Sequence, residues 1–221
     1  MKIIRYFSIL VSLVFGFIIF SGLPIYANAA SILSDDFNAY SNGSVVGQGG
    51  WLNRANGLPY VIQGQEGKKA LYNNNTGADS VITKTISTAL PNGNQYFWIR
   101  TENRSGWGSY NIGENFQLGL FQGSWDGTSR ATLAFMKDGH VAILDTVTDK
   151  YVNFDTYTDN SWTLVKAQWR ISDKTIRWRV NNGAWTNWIP FVGSTSFTGF
   201  DTVGFVTFYL GSGGVYIDDL H

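Results

Sequence analysis

The chain has 221 residues, in which 16 Lys and Arg balance 16 Asp and Glu, aromatic side chains make up 16%, and cysteine is absent. A charge this low and balanced lacks the excess of basic residues that nucleic-acid binding requires, and the aromatic content excludes intrinsic disorder. The absence of cysteine excludes disulfides, thiol nucleophiles and zinc–thiolate sites.

Residues 1–29 have the pattern of a secretory signal peptide. A basic start precedes an apolar run over residues 6–20, and Ala27 and Ala29 are the small residues of a cleavage site. A transmembrane anchor is the alternative, because the apolar run is near the lower limit for spanning a bilayer. Cleavage after Ala29 would leave residues 30–221 as one exported domain, for which we expect a monomer without stable membrane insertion.

The rest of the chain has the pattern of an all-β domain. Short runs of alternating polarity recur between Gly, Asn, Asp and Ser, and no long segment has uninterrupted helical periodicity. The predicted strands, in chain order, are 32–37, 60–63, 69–73, 81–86, 95–102, 116–122, 131–137, 141–146, 162–171, 176–181, 202–210 and 215–220. Asp138 and Gly139 predict a tight hairpin turn between two of them.

The best-defined element is the hairpin over residues 162–181. With Asp173 and Lys174 as a two-residue turn, Trp169 would face Trp178, and the alternation predicts one buried and one exposed face. The exposed face would carry Lys166, Arg170, Arg177 and Arg179. Two interpretations remain open: a neighbouring strand supplies acidic partners, or the basic residues line a groove for an acidic or hydroxyl-rich ligand.

Several segments spread along residues 30–221 resemble a known family. They are Asp35-Asp36-Phe37-Asn38, Gly47-Gln48-Gly49-Gly50-Trp51, Trp162-x-x-Val165, Val180-Asn181-Asn182-Gly183 and Tyr216-Ile217-Asp218-Asp219-Leu220. Together they resemble the concanavalin A-like lectin/glucanase superfamily, and more narrowly its laminin G-like jelly-roll members in exported bacterial proteins. The resemblance implies an all-β sandwich of two antiparallel sheets, one of them curved, with carbohydrate on its concave side in many members.

Fold does not decide function here, because this superfamily contains lectins, hydrolases, lyases and adhesion modules. Glycoside hydrolysis needs two flanking carboxyl groups, and the Glu-x-Asp-x-x-Glu strand of laminarinase-like members is absent. Residues 100–104 resemble the Arg-Thr-Glu-x-Arg strand of alginate-lyase-like members, but the accompanying Gln-x-His segment is missing. Instead, Glu102 between Arg100 and Arg104 predicts a salt-bridged strand.

These observations predict a noncatalytic module that binds an oligo- or polysaccharide. The alternatives are a polysaccharide hydrolase or lyase of the same fold, and an adhesion module that contacts protein.

The first candidate site is a metal site. Acidic pairs lie near both ends of the mature chain, on terminal strands that neighbour each other in many jelly rolls, and calcium prefers hard oxygen ligands. In sugar-binding jelly rolls with similar ends, an acid near each terminus often holds a structural calcium. The resemblance therefore predicts Asp36 and Asp218 as ligands of a structural Ca²⁺, and the alternative is a pair of solvated acids.

The second candidate site is aromatic. Exposed indole and phenol rings stack on the apolar side of a sugar ring, and loops on a rigid sandwich often carry binding residues. The predicted ligand-binding residues are Trp107, Tyr110, Trp125 and Asp126 in Gly- and Ser-rich segments, with Arg170, Arg177 and Arg179 from the hairpin. Alternatively, the loop aromatics fold back onto the core. A structural role is expected for Trp185 and Trp188, which directly follow the hairpin.

Overall fold

A computed structural model describes residues 30–55, 60–65, 67–77, 79–108, 113–125, 130–193 and 196–221. The predicted signal peptide, Tyr110 and Asp126 therefore lie outside the described residues. Across these ranges, no helix has the length and hydrophobicity needed to cross a membrane.

The described residues form short antiparallel strands and one 3-10 turn at Arg104–Gly106. The strands are β1 (Gly43–Ser44), β2 (Leu52–Asn53), β3 (Val61–Gln65), β4 (Lys68–Asn73), β5 (Ser80–Leu90), β6 (Asn92–Glu102), β7 (Glu114–Phe121), β8 (Arg130–Met136), β9 (His140–Asp145), β10 (Lys150–Thr156), β11 (Trp162–Arg170), β12 (Thr175–Val180), β13 (Ile189–Pro190), β14 (Phe200–Thr207) and β15 (Gly214–Asp218).

The strands form two sheets. One has eight strands in the order β1-β3-β4-β15-β6-β11-β12-β13, and the other has seven in the order β10-β9-β8-β7-β14-β5-β2. The last strand, β15, lies between β4 and β6, so the C-terminal segment is in the middle of the eight-stranded sheet. The predicted all-β sandwich of two antiparallel sheets is confirmed.

The core lies between the two sheets because the strands alternate between inward and outward side chains. Along β11, Val165, Ala167 and Trp169 are buried, whereas the residues between them are partly exposed. The opposite sheet contributes Phe205, whose ring centroid lies 6.0 Å from that of Phe97 on β6. Burying each such side chain contributes roughly 1.5–3 kcal/mol, so this apolar layer is the main source of stability.

The β11–β12 hairpin differs from its predicted register by two residues. Ala167 pairs with Trp178, so the predicted pairing of Trp169 with Trp178 is wrong, and residues 171–174 form a four-residue turn. Asp173 in this turn accepts hydrogen bonds from Arg170 Nε and Thr175 Oγ1, each at 2.9 Å. A shift of two residues keeps every side chain on its predicted face, because the side-chain period of a strand is two.

Two local predictions have opposite outcomes. The turn between β8 and β9 is confirmed, with Gly139 at φ +93°, a conformation that glycine adopts readily. The strand predicted over residues 32–37 is replaced by a single bridge between Asp35 and Leu220. The Asp35 carboxylate accepts the Phe37 amide at 3.1 Å and turns the chain there, with Phe37 at φ 57°.

Candidate functional site

The outer face of the eight-stranded sheet carries a cluster of basic side chains, Lys166, Arg170, Arg177 and Arg179, here called the basic face. Arg177 and Arg179 alternate along β12 with the buried Trp178, which directs them away from the core. The register sets Lys166 of β11 directly beside Arg179, and Gln168 beside Arg177. The predicted exposed basic side of the hairpin is thus present, with corrected cross-strand neighbours.

Two tryptophans lie on this basic face. The Trp188 ring centroid is 4.1 Å from Arg170 Cζ and 4.7 Å from Arg177 Cζ. The Trp185 ring centroid is 4.7 Å from Arg177 Cζ and 5.1 Å from Arg179 Cζ. Both indoles are half-buried, so each is held by guanidinium groups and still presents surface to solvent.

The segment carrying these tryptophans folds back along β12. The Thr186 amide donates to the Trp178 carbonyl at 2.8 Å, and the Trp178 amide donates to Thr186 Oγ1 at 3.0 Å. Farther along, Ile189 of β13 pairs with Ile176 of β12. These contacts fix the backbone on both sides of the tryptophans and place their rings over the neighbouring arginines.

Two arginines of the basic face have partners within the hairpin. Arg170 Nη2 lies 2.6 Å from a carboxylate oxygen of Asp173, so its charge is balanced by the turn. Arg177 Nε donates to Gln168 Oε1 at 2.8 Å, which orients the guanidinium without neutralising it. The acidic partner for Arg170 comes from its own turn and not from a neighbouring strand.

The remaining basic groups have no carboxylate partner among the described residues. In the described part of the chain, no carboxylate oxygen lies within 4.0 Å of a basic nitrogen of Lys166, Arg177 or Arg179. Lys166 Nζ lies 5.2 Å from the Tyr96 ring centroid. Burial, and then the charge of Arg179, lower the pKa of Lys166. This part of the basic face therefore carries uncompensated positive charge.

Aromatic residues continue across the same outer face toward β4. On β6, Tyr96 and Trp98 alternate with buried residues and are partly exposed. Beyond them the rings of Tyr72 and Tyr216 lie 4.5 Å apart. From β4 to β12 the face crosses five adjacent strands, which corresponds to about 19 Å at the usual spacing between strands.

Trp107 does not lie on an exposed loop surface. Its side chain belongs to the core between the sheets and is 1% exposed, so its predicted stacking role is wrong. A Cβ atom at residue 213 would approach Trp107 Nε1 to 2.5 Å, and Gly213 leaves the space that the indole needs. The alternative, a loop aromatic that folds back onto the core, is what the structure shows.

Trp125 packs on the other side of the sandwich. Its ring centroid is 5.9 Å from that of Phe121, and it contacts a cluster of Val81, Val206 and Phe208 on the outer face of the seven-stranded sheet. It is half-buried, and its stacking role stays a prediction. The basic face is on the opposite outer face, so Trp125 and the hairpin arginines, all predicted as ligand-binding residues, do not share one surface.

The acidic residues near the two ends of the described chain occupy different environments. Both carboxylate oxygens of Asp36 accept hydrogen bonds from Asn38. Asp218 is 8% exposed, and burial, then the negative charges of Asp219 and Asp36, raise its pKa to about 6 against a backbone hydrogen bond that lowers it. Among the described residues, no three Asp, Glu or His side chains gather as a metal site.

Glu102 has one of its two predicted partners. Arg100 Nη2 lies 3.4 Å from Glu102 Oε1, which confirms this half of the predicted salt-bridged strand. Arg104 turns away to Asp159, with Nε at 3.8 Å from its carboxylate, so the other half is wrong. The reason is that β6 ends at Glu102 and the 3-10 turn begins at Arg104.

Solved structures of other proteins share this arrangement of sheets. One is a sialidase, with a TM-score of 0.62 at 15% identity over 87% of this chain and 18% of the sialidase. Another is a carbohydrate esterase from Shiga toxin-encoding bacteriophage phi24B, with a TM-score of 0.57 at 13% identity over 87% of this chain and 97% of the esterase chain. Lectin II from Ulex europaeus has a TM-score of 0.53 at 11% identity over 86% of this chain and 97% of the lectin chain.

The chain has the concanavalin A-like jelly-roll fold. The fold implied by the sequence resemblance is thereby confirmed, and at these identities the likeness establishes the fold alone. No protein-family model and no curated protein sequence matches the chain. The chain spans less than a fifth of the sialidase, so that likeness concerns one part of a larger protein.

Within this jelly roll, the sequence did not identify Trp185 and Trp188 as surface residues. The usable signal was Asn182-Gly183, one residue beyond the end of β12, since such a pair favours a chain reversal. A reversal at that point returns the following residues along β12, where every second side chain is an outward arginine. Because the two tryptophans are an odd number of residues apart, strand alternation alone does not place both rings over this row, and the irregular backbone of residues 184–188 does so.

Proposed function

We propose that this jelly roll is a noncatalytic carbohydrate-binding module that holds polysaccharide on the outer face of its eight-stranded sheet. The observation that carries the proposal is the pair of half-buried indoles, Trp185 and Trp188, whose ring centroids lie 4.1–5.1 Å from arginine guanidinium carbons. The fold supports it: the three similar structures are named as a sialidase, a carbohydrate esterase and a lectin.

The arrangement suits a sugar ring for a physical reason. An indole that is already fixed loses little conformational freedom when a sugar stacks on it, so less of the contact energy is lost. Arg177 lies beside the rings, and its other guanidinium N–H groups supply donors for hydroxyl groups, while Gln168 Oε1 holds the guanidinium in place. The aromatic continuation toward Tyr96 and Trp98 offers room for several sugar units. The signal peptide predicted for residues 1–29 would bring this face to extracellular polysaccharide.

A catalytic role is the second candidate, and Glu102 and Tyr216 on this face do not favour it. Glu102 is paired with Arg100. Burial, and then the charge of Glu102, raise the pKa of Tyr216 to about 12, so its phenol is a poor base at neutral pH. A protein-contacting adhesion role would use the same exposed rings, and the binding experiment below separates all three.

We expect Trp188→Ala and Trp185→Ala to weaken retention on a polysaccharide array by at least about fivefold, as truncation of an important contact does. Each variant should unfold within about 1 kcal/mol of the parent, because an exposed cation–π contact contributes little to stability. Retention and urea unfolding are measured on the same preparations. Trp125→Ala is the matched control on the opposite outer face and should bind like the parent protein.

Each other outcome contradicts the proposal in a different way. Loss of retention in Trp125→Ala alone would move the site to the seven-stranded sheet. Release of reducing ends or unsaturated products from a retained polysaccharide would establish an enzyme. Absence of retention on every polysaccharide would favour the adhesion module.

We further propose that Ca²⁺ binds Asp218 together with Asp36. No basic nitrogen in the described ranges lies within 4.0 Å of the nearly buried Asp218 carboxylate, and calcium prefers such hard oxygens. A ligand that binds only the folded state at a hundredfold above its Kd stabilises that state by about 2.7 kcal/mol. Calcium is therefore expected to raise the melting temperature and chelation to lower it.

The calcium response is tested by melting with and without the metal in Asp218→Asn and in Asp149→Asn. The second variant removes an exposed acid elsewhere and should keep the parent response. A full response in Asp218→Asn would place the metal at another site, and no response in the parent would remove the metal from the proposal.

A further inference from the structure

We infer that the polysaccharide bound by the basic face carries carboxylate or sulfate groups, an inference that rests on the proposed function. The observation behind it is the cluster of uncompensated cationic groups on Lys166, Arg177 and Arg179, directly beside the indole rings.

The register of β11 and β12 holds the three cationic residues close together. Lys166 and Arg179 are direct cross-strand neighbours, and Arg177 is two residues from Arg179 on the same face of β12. At ordinary strand dimensions, the backbones of all three lie within about 8 Å of one another. Like charges directly opposite across a sheet repel each other. An isolated fold would gain stability from an acid at this place, yet the described residues supply none.

Arg170 and Arg179 differ in their hydrogen-bond and ion-pair partners, and this difference indicates where an anion would bind. Arg170 has a carboxylate partner at 2.6 Å, whereas Arg179 has none, and its Nε is buried without a described hydrogen-bond acceptor. An unsatisfied donor on a cation carries a larger free-energy penalty than a neutral one. Because that Nε is buried, an anionic group over Arg179 and Lys166 would accept from the terminal guanidinium nitrogens and from the ammonium group. Burial lowers the pKa of Lys166, and the neighbouring charge of Arg179 lowers it further.

The positive charge is local and does not come from the whole chain, whose formal net charge is zero. General attraction to any polyanion is therefore weaker than for a basic protein, and a specific anion response must come from this face. Aromatic and basic side chains together also bind single-stranded nucleic acid. We favour a glycan because the basic face and its aromatic neighbours present several rings but only three cations that lack a described acidic partner. Binding of nucleic acid is measured as a separate outcome of the experiment.

The experiment compares matched polymers that differ only in charge. Dextran, galactan and cellulose are immobilised unmodified, carboxymethylated and sulfated, with polyglutamate and oligothymidylate as anions without a glycan backbone. Arg179→Gln and Lys166→Gln are measured beside Lys150→Gln, which removes an exposed positive charge from β10 on the other sheet. Carboxymethylated and sulfated arms distinguish the two anion chemistries.

We expect at least one backbone to be retained more strongly in a charged form than unmodified, with the difference decreasing as salt rises. Arg179→Gln and Lys166→Gln should each weaken retention of that charged form by about fivefold, the upper range for an exposed charge pair. Both variants should leave retention of the unmodified backbone unchanged, and Lys150→Gln should behave like the parent.

Equal retention of charged and unmodified backbones that depends on Trp188 would overturn this inference and leave the proposed function standing. Retention of polyglutamate or oligothymidylate as strong as that of the charged glycans would overturn both. An equal loss in Lys150→Gln and Arg179→Gln would assign the effect to overall charge and overturn the inference.

Discussion

Replacing Trp107 by Ala is expected to lower the free energy of unfolding by about 3–5 kcal/mol, the loss typical of a large buried aromatic. The indole is 1% exposed in the core between the sheets, beside the space left by Gly213. Its ring nitrogen has no described hydrogen-bond partner, so apolar contacts provide its contribution. Urea unfolding of Trp107→Ala measures this loss.

The unfolding free energy of Trp107→Ala is compared with that of one buried and one half-buried tryptophan variant. Trp169→Ala, with the same 1% exposure, should lose as much as Trp107→Ala. Trp125→Ala should lose clearly less, because its indole is half-buried on an outer face. A Trp107→Ala protein as stable as the parent would show that this indole is exposed in solution, and its predicted stacking role would return.

The second large effect is expected at Asp35. Its carboxylate accepts hydrogen bonds from Tyr40 Oη at 2.5 Å, Lys84 Nζ at 2.9 Å and Trp51 Nε1 at 3.0 Å. The side chains of Asp35 and Lys84 are only 7% and 17% exposed. Asp35→Ala leaves the ammonium without its counter-charge and is expected to destabilise the fold by about 3–5 kcal/mol.

The double variant Asp35→Leu with Lys84→Met is compared with Asp35→Ala to test the ion-pair explanation. Removing both charges together avoids a buried unpaired ion, so much of the lost stability should return. If the double variant is no more stable than Asp35→Ala, the contribution comes from the hydrogen bonds of Tyr40 and Trp51. That result would contradict the ion-pair explanation.

The same carboxylate gives a pH dependence with a definite sign. Burial would raise the pKa of Asp35, but hydrogen bonds from Tyr40, Lys84 and Trp51 outweigh it and hold the pKa below its ordinary value of 3.8. Its stabilising contribution is therefore complete above that value and is lost as the pH falls through the lower folded-state pKa. The stability difference between parent and Asp35→Ala should shrink over that acidic range.

The sequence predicted the parts of this fold that depend on local alternation. In β11 and β12, every second residue is apolar, and this was enough to assign Trp169 and Trp178 to the core and Arg177 to the outer face. The register was not accessible in the same way. It depends on Lys174 adopting φ 52° and on the hydrogen bonds of Asp173, and either turn length preserves the alternation.

The candidate site was predicted in part, because its charges lie on regular strands and its rings do not. The arginines were located by alternation, whereas the positions of loop tryptophans depend on distant residues. Trp107 turns inward because Gly213, more than a hundred residues later, leaves room for it. Trp188 lies outward because Thr186 binds the backbone of Trp178, a contact that composition and spacing do not reveal.

The segment that carries Trp185 and Trp188 also affects how this protein behaves among its own copies. An exposed strand edge offers unpaired amides and carbonyls to another chain and promotes aggregation. Here both the amide and the carbonyl of Trp178 are already bonded to Thr186, and β13 pairs with the start of β12. The segment that carries the proposed polysaccharide-binding tryptophans therefore also covers this edge of β12, through Thr186 and β13, and protects it against self-association.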